Sequence, residues 1–340
     1  MAIVPIVVGP TGVGKTEIAL GVAQKIGAEI VSADSRQVYR QLDIGTAKPT
    51  HEQLVQVPHH LVDCVDPDQD FNAAKYGRLA KGIILELLAQ GKLPLVVGGS
   101  GLYLRALVEG FFQGPGAHPE IRQHLIEEES RAGPGTLHRR LSKVDPESAS
   151  RIHPHDRVRT IRALEVHQLT GVTLSRLQEE GAYRRPAFSW CKLGLFRERE
   201  SLYHRIEKRV DEMIEQGLLE EVRSLLLRGY SPELPAFSTV GYREMIAHLK
   251  GQVSFQEAVS LQKRNTRQYA KRQMTWFGRD SEILWLHAQG EEKQVFLTIQ
   301  KLTADQFPSA KEVERRRTVL RRSWSYPVSS KEAEDHGRKS

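Results

Sequence analysis

The sequence predicts an α/β protein in which a parallel β-sheet is flanked by helices and carries an inserted helical subdomain. Three observations carry this expectation. Over the first third of the chain, short apolar runs alternate with amphipathic stretches, the pattern of a sheet covered on both faces. The run "IVPIVV" leads directly into the glycine-rich "GPTGVGKT" at Gly9–Thr16, and that stretch into a helical pattern. Near Gln113 the composition shifts to polar and helical, rich in Arg and His.

Each element follows from its local pattern. "IVPIVV" is a strand, and helical spacing runs from Thr16 to Ile26. "EIVSADS" is a second strand and "HHLVDCV" a third. Between Ala73 and Ala89, Tyr76, Leu79, Ile83 and Leu87 recur at turn spacing, and the polar "QGK" ends that helix. "LPLVVGGSGLY" is a buried strand that breaks at Gly98-Gly99 and enters another helix. "QGPGAHPE" is a Gly/Pro connector into the insertion, which extends to about Tyr183, and "FSWCKLGLF" returns to the sheet. Helices are expected over 199–229, 241–249 and 255–277, before a last strand in "EILWLHA". The resulting domains are a core of residues 1–112 and 186–304, a helical insertion of 113–185, and a charged, Ser-rich tail, 305–340, expected to be mobile and outside the core.

Composition excludes several classes. The chain has 340 residues, of which 39% are hydrophobic, and no apolar run approaches the roughly 20 residues of a membrane span. No secretory leader is recognisable, so no membrane partner is expected. Cys64 and Cys191 are too few for a disulfide framework or a cysteine-rich zinc site, and they fit a reducing cytoplasm. The net charge of +7 suggests a polyanionic partner. Nothing requires a second copy, so a monomer is expected.

"GPTGVGKT" fits the phosphate-loop pattern, with the required strand before it and helix after it. Its glycines let successive backbone N–H groups converge on phosphate oxygens, and the positive end of the following helix adds to the attraction. Lys15 supplies a point charge, and Thr16 a hydroxyl ligand for Mg²⁺. A loop that cleaves ATP normally has an acidic magnesium ligand at the end of a later apolar strand. Here that strand ends "LVVGGSG", and the acid stands instead after the second strand, as Asp34 in "SADSRQVY". Asp34 either faces the ligand crevice at the carboxyl ends of the strands or caps its own turn. The loop "DIGTAKP" adds Asp43, Thr46 and Lys48, facing either solvent or that crevice.

Two clusters bear on a polyanion. "RIHPHDRVRTIRALE" crowds Arg157, Arg159 and Arg162, which either grip phosphates or form a solvated face paired with Glu165. His153 and His155 lack a third ligand at metal-binding spacing. In "QKRNTRQYAKRQMTWFGR", Arg264, Arg267 and Lys271 share one helical face, and acids are absent from the run. Tyr269, Trp276 and Phe277 are stacking surfaces for unpaired bases, or else core residues.

Taken together, "GPTGVGKT", "SADSRQVYRQLDIGTAKP", "VVGGSGLYLRAL", "RIHPHDRVRTIRALEV", "STVGYREM" and "YAKRQMTWF" give the chain a resemblance to bacterial tRNA dimethylallyltransferases, also called tRNA isopentenyltransferases. The resemblance covers most of the chain. It implies a P-loop NTPase-like fold, and transfer of a dimethylallyl group from dimethylallyl diphosphate to the exocyclic amine of the adenine 3′ of the anticodon. Gly9, Pro10, Thr11, Gly12, Val13, Gly14, Lys15 and Thr16 would then hold the donor's diphosphate, so the missing strand-end acid makes sense: no γ-phosphoryl group is transferred. Lys15 and Arg205 would stabilise the departing diphosphate, with Arg209 an equal contender for the second task. Asp34 would take the proton of the attacking amine, and Ser100 would hydrogen-bond the diphosphate or that amine. The adenine must leave its stack to reach the donor. By the same resemblance the anticodon stem-loop lies along Asp34, Ser35, Arg36, Gln37, Ser100, Arg122, Val158, Arg159, Thr160, Ile161, Arg162, Ser238, Thr239, Val240, Gly241, Tyr242, Arg243, Lys271, Arg272, Gln273, Met274, Thr275, Trp276, Phe277 and Gly278. Two departures stand out. Ser100 replaces the Thr of many members and keeps the hydroxyl, while Gly278 displaces by one residue the Arg that many carry after the "TWF".

Three rivals predict different behaviour. A small-molecule kinase would consume ATP and want the strand-end carboxylate. A prenyltransferase for free adenine nucleotides would have no use for the insertion or for "KRQMTWF". A nucleic-acid-binding module without catalysis would leave Asp34 and the intact phosphate loop unexplained.

Overall fold

The computed structural model describes residues 2–111, 114–180, 188–288 and 292–303. The expected tail, 305–340, lies outside the described residues. Six strands among those described form one parallel sheet: β1 (Ala2–Val8), β2 (Ala28–Ala33), β3 (His59–His60), β4 (Leu93–Gly98), β5 (Phe188–Phe196) and β6 (Leu284–His287), in the order β3-β2-β4-β1-β5-β6. Buried on both faces, these strands read as near-continuous apolar runs. Val4, Val7, Val31, Leu95, Leu193 and Leu195 are all fully enclosed. Register does the positioning. Val8 pairs with Gly98 on one side and Gly194 on the other, and Ala33 also pairs with Gly98. The chain segments that leave β1, β2 and β4 therefore emerge level, at one edge of the sheet.

The helices are α1 (Lys15–Ile26), α2 (His51–Gln56), α3 (Ala73–Ala89), α4 (Gly101–Val108), α5 (Pro119–Ala132), α6 (Thr136–Val144), α7 (Pro146–Arg151), α8 (Arg157–Thr170), α9 (Leu174–Glu180), α10 (Arg199–Glu215), α11 (Leu218–Leu227), α12 (Tyr242–Leu249), α13 (Phe255–Phe277) and α14 (Glu292–Thr303). Several begin on the caps their sequences offer. The Ser254 hydroxyl accepts from the Glu257 N–H at the start of α13, and the Asp156 carboxylate from the Arg159 N–H at the start of α8.

Two local expectations are corrected. The third strand is only His59–His60, because Leu61 and Asp63 take φ of 62° and 53° and turn the chain off the sheet edge. In α3 the buried stripe is Tyr76, Ala80, Ile84 and Leu87, while Leu79 is exposed. The helix is rotated relative to the large-residue spacing because Ala80 takes a core position.

The chain divides into two compact units. Among the described residues, the first comprises 2–72, 79–104, 188–288 and 292–303, and contains the whole sheet. The second comprises 73–78, 105–111 and 114–180. It is all-helical, with its own core of Leu125, Leu137, Leu141, Leu164 and Val166.

Candidate active site

The level strand ends of the first unit surround a cavity of about 660 Å³. After β1, Gly12 and Gly14 take φ of 80° and 103°, which turns the loop's backbone toward the start of α1. The Lys15 ammonium folds back over the loop and donates to the Gly9 and Pro10 carbonyls at 2.9 Å each. Burial pushes its pKa down to about 8, which the Asp34 carboxylate opposes and the Arg209 guanidinium reinforces. Two buried side chains fasten the loop from outside. Arg197, just past β5, donates to the Val13 carbonyl at 2.9 Å. Gln273, on α13, accepts from the Thr11 N–H at 2.8 Å and donates to the Gly99 carbonyl at 2.9 Å.

After β2, Asp34 lines the same cavity. Its Oδ1 accepts from the N–H groups of Arg36 at 2.8 Å and Gln37 at 3.4 Å. The structure therefore joins both readings of Asp34: the carboxylate caps its turn and also faces the crevice. After β4, the Ser100 hydroxyl accepts from the Ser35 N–H at 2.8 Å and lies 3.1 Å from the Ser35 hydroxyl. Tyr269 on α13 stands beside Ser100, and burial pushes its phenol pKa up to about 12. Ser100 thus fixes the turn that carries Asp34, a positioning role that the motif alone did not reveal.

The two arginine contenders differ. Arg205 donates to the Gly12 carbonyl at 3.0 Å and pairs with Glu17 at 3.4 Å. Arg209 lines the cavity, close enough to Lys15 and Asp34 to act on both electrostatically, and makes no hydrogen bond or ion pair among the described residues. A half-buried guanidinium without an acidic partner, beside a phosphate loop, is placed to engage an anion.

The other expected acceptor contacts separate by burial. Arg36, Gln37, Ser238, Thr239, Val240, Arg243, Arg272 and Gln273 line the cavity. The side chains of Tyr242, Met274 and Phe277 are enclosed and contribute position. Gly241, at φ 102°, caps α12 and donates its N–H to Glu244 at 2.7 Å. Lys271, Trp276 and Gly278 are exposed, with Thr275 half-buried. The absence of acids around "RNTRQYAKRQ" is corrected by the fold, because α10 supplies the partners: Glu207 binds Arg267, and Asp211 binds Lys263 at 2.6 Å. Arg264 and Lys271 make no ion pair among the described residues. In the second unit, Arg122 grips the fully buried Glu165 at 2.8 and 3.0 Å, and Arg162 reaches the same carboxylate at 2.8 Å. Arg157 pairs with Glu129 at 2.6 Å, and Thr160 and Ile161 are buried. Val158 and Arg159 are the outward-facing members of that segment.

A parallel sheet with a phosphate loop after its first strand, a carboxylate after the next and a polar cavity between them defines a P-loop NTPase-like protein built to hold a phosphorylated ligand. Comparison with known proteins is more specific. The family profile described as "IPP transferase" matches residues 37–280, and one described as "Isopentenyl transferase" matches 2–65. The chain is 51% identical to a tRNA dimethylallyltransferase of Geobacter metallireducens over 86% of its own length and 95% of the relative's. It is 50% identical to the tRNA dimethylallyltransferase of Pelotomaculum thermopropionicum, covering 83% and 89% of the two chains. Among solved structures it resembles a tRNA isopentenylpyrophosphate transferase of Bacillus halodurans, with TM-score 0.66 and 37% identity over 94% of this chain and 99% of that one. It also resembles a eukaryotic dimethylallyltransferase acting on tRNA, with TM-score 0.75 and 26% identity over 90% and 81%. This chain belongs to the IPP transferase family.

The Lys15 environment makes a pH prediction. In the free protein the ammonium loses its proton as pH rises through about 8. Affinity for diphosphate should therefore fall across that range, since the anion needs the charged form and binding must take up a proton. Titration calorimetry between pH 6.5 and 9.5 checks this. Lys15→Gln should bind more weakly and lose the step, and an identical pH profile in the variant would remove Lys15 from the contact.

Proposed function

We propose that this protein transfers a dimethylallyl group from dimethylallyl diphosphate to the exocyclic amine of the adenine 3′ of the anticodon in tRNA. The observation that carries the reading is the shared cavity: a phosphate loop and the Asp34 carboxylate open into one space, and the strand beside them ends in Gly98-Gly99-Ser100 without an acid. As the allylic carbon–oxygen bond breaks, negative charge grows on the departing diphosphate. Lys15, Arg209 and the loop N–H groups are aimed at it. The amine nitrogen forms the new bond to that carbon, becomes acidic as it does so, and gives its proton to Asp34. Ser100 and Ser35 hold the turn that presents the base. Atoms balance with diphosphate as the only leaving group and no further co-reactant.

Among the described residues no group of three or more His, Cys, Asp or Glu side chains could hold a metal. Thr16, the hydroxyl residue that closes the phosphate loop, would hold a Mg²⁺ shared with the donor's phosphates, since this ion is commonly bound through few protein ligands plus substrate phosphates. When bound, Mg²⁺ would neutralise charge on the leaving group. We place the reaction in the cytoplasm and expect a monomer to suffice. No helix among the described residues is long and apolar enough to cross a membrane.

One assay tests the reading. Labelled dimethylallyl diphosphate is incubated with tRNA, with AMP or with neither, while ATP turnover is followed. Label should enter tRNA alone, and ATP consumption or labelled AMP would replace this function with one of the rivals. For the acceptor, Lys271→Ala should weaken tRNA binding and reduce the slope of log affinity against log salt by about 1, whereas Arg267→Ala, already paired with Glu207, should change the slope less. Equal slopes for Lys271→Ala and the parent would take α13 off the interface.

A further inference from the structure

One wall of the cavity is a loop held from outside by a carboxylate that the chemistry above does not use. Gly45, Thr46 and Ala47 line the cavity, in a segment between Leu42 and Pro49 that is neither helix nor strand. Ala47 sits at φ 49°, a conformation that a residue with a Cβ keeps only when its surroundings impose it. The Ala47 N–H donates to the Ile44 carbonyl at 3.0 Å, and the stretch before it is held by Glu221, on α11. Its Oε2 accepts from the N–H groups of Asp43 at 3.1 Å and Ile44 at 2.9 Å, and its Oε1 from Gly45 at 3.4 Å. The Tyr242 hydroxyl donates to Oε1 at 2.5 Å. Burial holds that phenol protonated, with its pKa well above the ordinary value. Gly45 lies so close that a Cβ there would stand 2.4 Å from the Tyr242 ring. Lys48 secures the other end, donating to the Tyr39 carbonyl at 2.9 Å and to Asp63 at 2.5 Å.

The inner side of this loop points to the base. The carbonyls of Thr46 and Ala47 accept from the Gln37 side-chain amide at 3.3 and 3.1 Å. The Gln37 N–H in turn reaches Asp34 Oδ1. Hydrogen bonds joined by short stretches of backbone thus connect Glu221, through residues 43–47 and Gln37, to Asp34. No hydrogen bond among the described residues joins residues 43–48 to the phosphate loop.

We propose that Glu221 is a positioning residue for the transfer step, fixing the cavity wall and, through Gln37, the carboxylate that accepts the proton. It sets turnover and leaves donor binding alone. The inference rests on the reading of Asp34 as the proton acceptor.

Glu221→Gln, Gln37→Ala and the double variant test it, with the full chain, dimethylallyl diphosphate and an unmodified tRNA transcript. Glu221→Gln keeps the shape of the side chain but sets an amide against the loop N–H groups. Its kcat should fall roughly tenfold to a hundredfold, while affinity for inorganic diphosphate without tRNA stays within about twofold of the parent. The double variant should lose little more kcat than the worse single one, because both act along one line of contacts. Losses that multiply, or kcat and diphosphate affinity falling together, would overturn the proposal. Should Glu221→Gln fail to fold by circular dichroism, Tyr242→Phe removes one donor to the same carboxylate and should lower kcat about threefold with diphosphate affinity intact; an unchanged kcat there overturns the proposal equally. An Asp34→Asn variant in parallel separates two failures. If it is inactive while Glu221→Gln turns over normally, only the positioning role falls. If it is active, the base assignment falls first.

Discussion

Asp34→Asn should bind dimethylallyl diphosphate and tRNA and transfer the prenyl group roughly 10²–10⁴-fold more slowly, the span that a positioned general base supplies. The substitution removes little else. Asn keeps an oxygen where Oδ1 accepts from the Arg36 and Gln37 N–H groups, so the turn after β2 survives. The Ser100–Ser35 contact does not involve the carboxylate and should hold as well. Electrostatics sharpen the expectation. Asp34 is a negative charge near Lys15 and Arg209, the two cations that a diphosphate would engage. Neutralising it removes a repulsion toward the diphosphate but also withdraws support for the charged Lys15, so diphosphate affinity should stay within a few-fold of the parent while turnover collapses. Single-turnover transfer and calorimetry on the same preparation check both halves. Near-normal transfer would displace the base, and a loss of diphosphate binding would show that Asp34 serves the loop instead.

Much of this site was legible in the sequence because its parts are local. A phosphate loop needs its glycines, Lys and Thr within one short stretch between a strand and a helix, and "IVPIVVGPTGVGKT" supplies them without help from the rest of the chain. Asp34 was legible for a related reason, since an acid directly after a buried strand of a parallel sheet faces the crevice by topology. What stayed hidden depends on partners distant in sequence. The pairing of Arg267 with Glu207 crosses from α13 to α10, so reading α13 alone left its cation unpartnered. Pairing of Arg162 with Glu165 was one of two readings of its segment, but the second arginine on that fully buried carboxylate, Arg122, comes from α5, 43 residues earlier in the chain. The resemblance placed Gln273 only along the tRNA path, and its hold on the phosphate loop left no local signal, because only the packing of α13 brings its amide to Thr11 and Gly99. Glu221 looked like any acid near the start of a helix, and its four donors come from two separate segments. The third strand failed for a backbone reason, a pair of left-handed residues at Leu61 and Asp63 that an apolar run does not announce.

Arg209→Gln should cost more than Arg205→Gln, though the sequence treats the two as equals. One turn apart on α10, they occupy different environments. Arg205 already holds the Gly12 carbonyl and Glu17, so its charge is partly spent on shaping the loop. Arg209 is half-buried near Lys15 and Asp34, with no hydrogen bond or ion pair among the described residues, so its charge is available to a ligand in the cavity. A diphosphate would meet Lys15 and Arg209 together, and its charge grows as the allylic bond breaks, so the contact strengthens toward the transition state. Removing one such donor typically lowers rate about 10²–10³-fold. Arg209→Gln is expected in that range for kcat/KM of the donor, Arg205→Gln within roughly tenfold of the parent. Arg209→Lys should recover only part of the loss, because an ammonium restores the charge without the fork that engages two oxygens. Steady-state kinetics at saturating tRNA decide between them. If Arg205→Gln proves the more damaging, the leaving group rests against the outer arginine, and the cavity beside Arg209 is left to the acceptor.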